Sequence, residues 1–152
     1  MDAVKPLTVG QQRDAAGARI LSLADELALG VQGCFWLLWE EGQRWQFHMV
    51  TPLVEDKGPR WIYDRLLKVF AKVPLPQEIT PLDIFVMSPE APLFREFLNF
   101  MSTGEGNANI EITKALRTDR LKVRAARIYR LRPSVRATPQ KFDMKVRQLL
   151  AA

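Results

Sequence analysis

The sequence predicts one α+β domain, in which a largely antiparallel or mixed sheet of about five strands carries packed helices. Hydrophobic periodicity indicates the element order α-β-β-α-β-α-β-β-α, and hairpins between helices favour α+β over an alternating parallel fold. A chain of 152 residues is long enough for one domain with a sizeable core. Its composition, 47% hydrophobic and 26% charged, excludes a disordered or membrane-embedded chain. We therefore treat residues 1–152 as a single domain.

The first predicted element is a helix over residues 9–29. Thr8 and Gln11 have the spacing of a capping box, in which each side chain bonds the other residue's backbone amide. Apolar residues then recur at helical spacing from Ala16 to Leu27. Gly30 is expected to end the helix.

A β-hairpin is predicted next, with its turn at Glu41-Gly42. Its first strand is apolar on both faces, which is typical of a central strand that is covered on both sides. A two-residue turn places Cys34 opposite Met49, whereas a three-residue turn places it opposite His48. His48 lies on the more polar face of the second strand, so we expect a surface histidine.

The middle of the chain is predicted to form a helix, a strand and a helix. Gly58-Pro59 opens the first of these helices and Pro74 ends it, because proline suits the first turn and breaks a helix interior. Leu82–Met87 is the strand, and the proline-rich segment before it is a stiff connection. Ser88-Pro89 is expected to begin the next helix.

The last third of the chain is predicted to form two strands and a helix. The strands are Ile110–Leu116 and Arg120–Leu131, paired through Thr118-Asp119. Thr138-Pro139 then caps a basic helix over residues 138–151.

Charge is unevenly distributed along the chain. Residues 1–113 hold 10 basic and 15 acidic side chains, whereas residues 114–152 hold 12 basic and 2 acidic ones. The two net charges, −5 and +10, together give the +5 of the whole chain. A local positive field is therefore expected in the last third.

Within the last predicted strand, cations recur at alternate positions. Because successive side chains of a strand point to opposite faces, a period of two places four of these cations on one face. Adjacent like charges repel, and an anionic partner would relieve that cost. Four later cations extend the surface, and the full candidate set is Lys122, Arg124, Arg130, Arg132, Arg136, Lys141, Lys145 and Arg147. The alternative is a solvated face that acids from residues 1–113 balance.

These cations predict a non-enzymatic binding module that engages nucleic acid or an acidic protein. One alternative is a Mg²⁺-dependent nuclease or hydrolase that uses the strand carboxylates Asp83 and Glu111. Lys114 follows Glu111 with two residues between them, where the nuclease pattern has one, so the two side chains point to opposite faces. The other alternative is a homo-oligomer that associates through the apolar strand and the tryptophans.

Residues that hold metals or cofactors are scarce. One Cys and one His cannot assemble the usual zinc sets. Cys34 on an apolar strand lacks the access and lowered pKa of a thiol nucleophile, so a catalytic pair of Cys34 with His48 is not expected. No phosphate-binding loop or dinucleotide fingerprint is present. We therefore expect no cofactor, no metal and no catalytic residue.

The sequence also indicates a compartment. A single cysteine cannot form an intramolecular disulfide, which suits a reducing interior. The first ten residues lack the apolar stretch of a signal peptide. The longest apolar run, Cys34–Trp39, is far shorter than a membrane span. We therefore expect a cytoplasmic protein without a membrane partner.

Aromatic residues cluster early in the chain, at Phe35, Trp36, Trp39, Trp45, Phe47 and Trp61. Exposed rings can stack on nucleobases, whereas buried rings supply core area. Trp36 and Trp39 point to opposite faces of their strand, so at least one of them is expected to be partly exposed.

Several short segments resemble uncharacterised bacterial proteins of about this size. These segments are Phe35–Glu40, Arg44-Trp45, Thr51–Val54, Lys57–Arg60, Tyr63 and Ile128–Leu131. The resemblance spans residues 30–131 and leaves out the basic C-terminal helix. It implies that the hairpin, the Gly58-Pro59 helix start and the Tyr129 strand belong to one unit, and it implies no activity or ligand.

Overall fold

A computed structural model describes residues 7–42, 44–76, 79–100, 106–118 and 121–152. Within these ranges the helices are α1 (Gln11–Glu26), α2 (Leu53–Lys72), α3 (Pro92–Phe100) and α4 (Pro139–Ala151). The strands are β1 (Gly33–Trp39), β2 (Gln46–Val50), β3 (Ile84–Met87), β4 (Ile110–Ile112), β5 (Leu116–Arg117) and β6 (Lys122–Leu131). A 3₁₀ turn, Pro81–Asp83, precedes β3. Helices and a mixed sheet in one fold confirm the predicted α+β class.

The sheet has the strand order β3-β2-β1-β6-β4, and β5 also pairs with β6. All pairs are antiparallel except β2 with β3, which are parallel and are connected through α2. β1 therefore lies inside the sheet, as its two apolar faces predict. Only Trp39, its last residue, is partly exposed.

The hairpin register agrees with the two-residue turn. Cys34 lies opposite Met49, and His48 lies opposite Phe35. The side chains of β1 then alternate between two separate cores. Cys34 and Trp36 pack under α1, α2 and α4, whereas Phe35 packs with α3 on the other face. Both faces of the sheet are therefore covered.

The predicted capping box of the first helix is wrong. α1 begins at Gln11, and Gly10 caps it with a φ of 86° and no side-chain hydrogen bond. Because this positive φ redirects the chain just before the helix, Thr8 lies outside it. At the other end Ala28 takes a φ of 57° and the Leu29 amide donates to the Ala24 carbonyl over 3.0 Å. The helix therefore ends before Gly30.

The start of α2 is partly as predicted. Gly58 has non-helical angles, φ 81° and ψ 160°, and Pro59 follows it at the first position of the main helical segment. A short helical turn that begins at Leu53 precedes this kink and was not indicated by the sequence. The stripe that faces the core contains Ile62, Leu66 and Val69, all of them buried.

The third predicted helix starts later than its sequence suggests. The Ser88 hydroxyl accepts from the Glu90 amide over 3.0 Å, and the Ala91 amide donates to the Ser88 carbonyl over 3.0 Å. These bonds close a turn, and α3 begins at Pro92. Ser88-Pro89 therefore forms a turn instead of a helix start, because Pro92 has no N–H with which to donate the first helical hydrogen bond to the Ser88 carbonyl.

The C-terminal elements follow the prediction with two changes. The predicted strand Ile110–Leu116 is divided into β4 and β5, and both pair with β6. Leu116 lies opposite Val123, whereas a turn at Thr118-Asp119 predicts that it lies opposite Leu121, so the register is shifted by two residues; Asp119 itself lies outside the described residues. The Thr138 side chain accepts from the Lys141 amide and caps α4 as expected.

Candidate anion-binding surface

Two bulges interrupt the alternation of β6. Cys34 pairs with Arg130 and the next residue, Phe35, pairs with Ile128, so Tyr129 is an extra residue. A second shift of register, between Leu38 and Trp39, leaves Arg124 as an extra residue near the start of β6. Each bulge reverses which face the following side chains meet, so the period of two is lost between Arg124 and Tyr129 and returns after Tyr129. Lys122 and Arg130 therefore share a face of the sheet as predicted, but Arg130 is buried there, so an exposed face of four aligned cations is not formed.

Arg130 lies inside the protein and is only 5% exposed. Its two terminal nitrogens donate to the two carboxylate oxygens of Asp25, each over 2.8 Å. Its Nε donates to the Asn107 side chain over 2.7 Å, and Nη1 also reaches the Val31 carbonyl. The prediction of a solvent-facing Arg130 is wrong, because α1 supplies an anion that compensates its burial.

Arg127 forms a second buried ion pair with α1. Its Nε donates to the Asp14 carboxylate over 2.9 Å, and its guanidinium carbon lies 4.3 Å from the centre of the Tyr129 ring. The Tyr129 hydroxyl is also within hydrogen-bond distance of Asp14, 2.9 Å from Oδ1. Burial, followed by this carboxylate, raises the pKa of Tyr129. Asp14 and Asp25 are eleven residues apart, about three helical turns, and therefore lie on one face of α1. This spacing is the sequence signal that could have indicated the two buried ion pairs.

The remaining seven predicted cations are divided between three places. Lys122 and Arg124 are exposed at the start of β6, whereas Arg132 and Arg136 follow its end. Ten residues of extended strand separate Lys122 from Arg132 by about 33 Å. The other three, Lys141, Lys145 and Arg147, lie on α4. Together the eight residues do not make one contiguous surface.

The helix α4 lies beside α2, and their contacts advance together along both helices. Trp61 packs on Phe142 near the start, with ring centres 5.8 Å apart. Near the end, Lys72 Nζ donates to the Leu150 carbonyl over 3.1 Å. The two helices therefore run in the same direction as neighbours.

This pair of helices concentrates positive charge. We define the α2–α4 surface as residues 59–72 and 139–151. It contains seven cations and two acids, a net charge of +5, which equals the net charge of the whole chain. Its cations are Arg60, Arg65, Lys68, Lys72, Lys141, Lys145 and Arg147. The α2 cations lie in the part of the sequence with a net negative charge, so the charge distribution along the chain gives no signal for them.

Next to the kink of α2, a cleft of 200 Å³ opens between the two helices, and we call it the Trp61 cleft. Arg65 lies over the Trp61 ring, with the guanidinium carbon 3.7 Å from the ring centre. Asp143 accepts from Arg65 Nε over 2.8 Å and from Arg147 over 3.0 Å. The residues that line the cleft are Lys57, Trp61, Arg65, Pro139, Gln140 and Asp143.

Cys34 and His48 do not form a catalytic pair. Cys34 is fully buried in the core under α1, and burial raises the pKa of its thiol. His48 points to the opposite core, where its ring stacks on Phe35. The prediction of a surface histidine is wrong, because His48 is only 4% exposed. Burial lowers the pKa of its imidazole to about 4.

The carboxylates proposed for a magnesium site do not meet. Asp83 lies beside edge strand β3, where it accepts from Arg44 over 2.6 Å. Glu111 lies in β4, at the opposite edge of the sheet, and Lys114 is exposed beyond it. Among the residues that the structure describes, no three potential ligands of the His, Cys, Asp or Glu type converge. The predicted cluster is therefore not formed.

Two further findings concern the chain as a whole. In the described ranges no helix combines the length and hydropathy needed to cross a bilayer. Comparisons with protein-family models, curated proteins and solved structures found no match. The similarity of the hairpin segments to uncharacterised bacterial proteins stays a prediction, and the function is argued from geometry.

Proposed function

We propose that the protein is a non-enzymatic binding module that holds nucleic acid on the α2–α4 surface. The observation that carries this proposal is the parallel pairing of two helices with seven cations and two acids. Five of the cations are exposed, and Arg65 and Arg147 form ion pairs with the same acid, Asp143. Phosphate contacts need cations and no particular base sequence.

The distribution of the cations favours nucleic acid over an acidic protein. Residues 59–72 extend for about 21 Å along the helix axis, so the cations form a band and not a point. Each strand of nucleic acid carries a charge about every 3.4 Å, which offers several phosphates to such a band. Trp61, partly exposed within the band, adds a surface for base stacking. We place this binding in the cytoplasm, where the free Cys34 stays reduced.

The salt dependence of binding tests this proposal. We expect a fluorescently labelled single-stranded oligonucleotide to bind at low salt and to lose about 50-fold in affinity between about 50 and 200 mM salt, as for four phosphate contacts. Absence of binding at low salt contradicts the proposal. Tighter binding of a polyglutamate of equal charge shows that an acidic protein is the better class of partner.

Matched variants locate the surface. The double variant Lys68→Gln with Lys141→Gln removes two exposed charges from neighbouring helices and should weaken binding about 10-fold with a shallower salt slope. Lys114→Gln, beyond β4, is the control for a lost exposed charge and should bind normally. A third variant, Lys122→Gln with Arg124→Gln, removes the two exposed charges at the start of β6. A larger loss in this variant than in the helix variant contradicts the assignment to α2–α4.

A further inference from the structure

We propose that the Trp61 cleft holds one unstacked nucleobase, so that the protein prefers single-stranded nucleic acid to a duplex. This inference rests on the proposed function and names the substrate class of the same surface. The cleft lies within the band of cations and is a place where an aromatic ring of that band, partly exposed, lines a cavity next to Arg65. Its 200 Å³ is smaller than a pocket for a drug-sized ligand and suits a single planar ring system.

The Trp61 ring is held in a fixed position. Phe142 packs against it from α4, with the ring planes at 55°. The Arg65 guanidinium lies over it, and this arginine is held by Asp143 over 2.8 Å and by the Trp61 carbonyl over 3.2 Å. Because these partners restrain the side chains before a ligand arrives, little conformational entropy is lost on binding.

The groups around the ring match the parts of a nucleotide. The Arg65 guanidinium already lies 3.7 Å from the Trp61 ring centre, so the surface offered to a base is this stacked guanidinium–indole pair, which tolerates every base. Lys57 Nζ lies 5.9 Å from the ring centre and can meet the phosphate of the same nucleotide. Gln140 and the Asp143 carboxylate, also in the cleft wall, supply an amide and acceptor oxygens for polar atoms on a base edge. A polyanion without bases can contact Lys57 but has no base for the indole, Gln140 and Asp143 to bind.

Selectivity for single strands follows from access. In a duplex the bases are stacked and paired, so a protein surface meets mainly phosphates and groove edges. Bases of a single strand can turn out of the stack and lie on an aromatic side chain. The cations of the α2–α4 surface attract both forms, and only the Trp61 cleft discriminates between them.

The test compares three ligands of equal length, namely a single-stranded DNA, its duplex and an abasic deoxyribose-phosphate oligomer. We expect Trp61→Leu to weaken binding of the single strand about 10-fold and to leave the abasic oligomer within about twofold. Trp61→Phe, which retains an aromatic ring, should restore most of the loss. Equal effects of Trp61→Leu on both ligands, or no effect on either, overturn the inference. Failure of the wild type to bind any of the three ligands overturns the proposed function itself.

Fluorescence provides a readout that does not depend on the stability of the leucine variant. Stacking of a base on Trp61 should quench part of the tryptophan emission in the wild type, and this quenching should disappear in Trp61→Phe. Trp39→Phe is the matched control, because Trp39 is also partly exposed but lies on β1, where it bonds Gln46. Quenching that persists in Trp61→Phe and is lost in Trp39→Phe contradicts the inference.

Discussion

At the scale of single residues, His48 shows how burial overrides side-chain polarity. The imidazole lies between two phenyl rings, with centres 5.5 Å from Phe35 and 5.1 Å from Phe85. Its Nε2 lies 3.2 Å from the Gln46 side-chain oxygen. The alternation of the strand predicts a wetter face at this position, but β3 and α3 cover it. A polar residue on a strand therefore indicates solvent only when no third element packs there.

The stability of the protein should depend on the protonation of His48. Its pKa in the folded state, about 4, lies below the ordinary value of 6.5, so the unfolded chain binds the proton first. Neutral His48 therefore contributes fully to the free energy of unfolding above pH 6.5. This contribution, on the order of 3 kcal/mol, is lost as the pH falls towards 4. Urea unfolding across this range should show a steeper loss for the wild type than for His48→Phe. Equal slopes contradict the assignment.

The ion pair between Arg130 and Asp25 predicts an unequal response to the loss of either partner. The Arg130 side chain is 6% exposed and that of Asp25 is 41% exposed. Asp25→Ala leaves a buried cation without its anion and should cost about 3 kcal/mol. Arg130→Met leaves a carboxylate that water can reach and should cost about 1–2 kcal/mol, because a hydrated charge carries a smaller penalty. Chemical unfolding measures both values, and the reverse order contradicts this account.

At the scale of elements, one side chain from α2 hydrogen-bonds the free backbone groups of the edge strand β3. The Tyr63 hydroxyl donates to the Ile84 carbonyl over 2.7 Å and accepts from the Val86 amide over 2.8 Å. These two groups face away from β2 and would otherwise be available to another strand. The hydroxyl therefore occupies the bonding positions of a neighbouring strand. This arrangement opposes self-association through β3.

Removal of this hydroxyl should open the edge. We expect Tyr63→Phe to lose about 1–2 kcal/mol of stability and to show concentration-dependent association in sedimentation experiments, because two backbone groups are left unpaired. Tyr129→Phe is the matched control, since Tyr129 bonds Asp14 inside the fold and covers no edge. That variant should be destabilised but remain in the oligomeric state of the wild type. Association by both variants to the same extent contradicts the role of Tyr63.

The elements differ in how far local sequence predicts them. Gly58-Pro59 and Thr138-Pro139 act on their immediate neighbours, and the structure places them as predicted. In the hairpin the register is as predicted, but the Gly42 amide donates to the Trp39 carbonyl, so the turn at Glu41-Gly42 is not confirmed. The predicted starts of α1 and α3 are wrong by about two and about three residues, because the positive φ of Gly10 precedes α1 and a separate turn at Ser88 precedes α3. The bulges of β6 were not predictable, because they are set by pairing with β1.

At the scale of the whole molecule, the cations of the basic last third lie in three different environments. Acids from the first part of the chain pair with three later cations, namely Glu40 with Arg117, Asp14 with Arg127 and Asp25 with Arg130. Lys122 and Arg124 remain exposed at the start of β6. The cations of α4 join those of α2, which precede the basic third of the sequence. The candidate surface therefore combines both parts of the chain.

The sequence by itself determined the α+β class, the order of the elements, the central position of β1 and the presence of excess positive charge. Periodicity and turn residues act over a few neighbours, so they can be read without the fold. Only the tertiary structure decided which cations remain in water. Arg127 and Arg130 find their acids 113 and 105 residues away, and α2 contacts α4 across 78 residues. Such pairings depend on how the layers pack, and no local pattern specifies them.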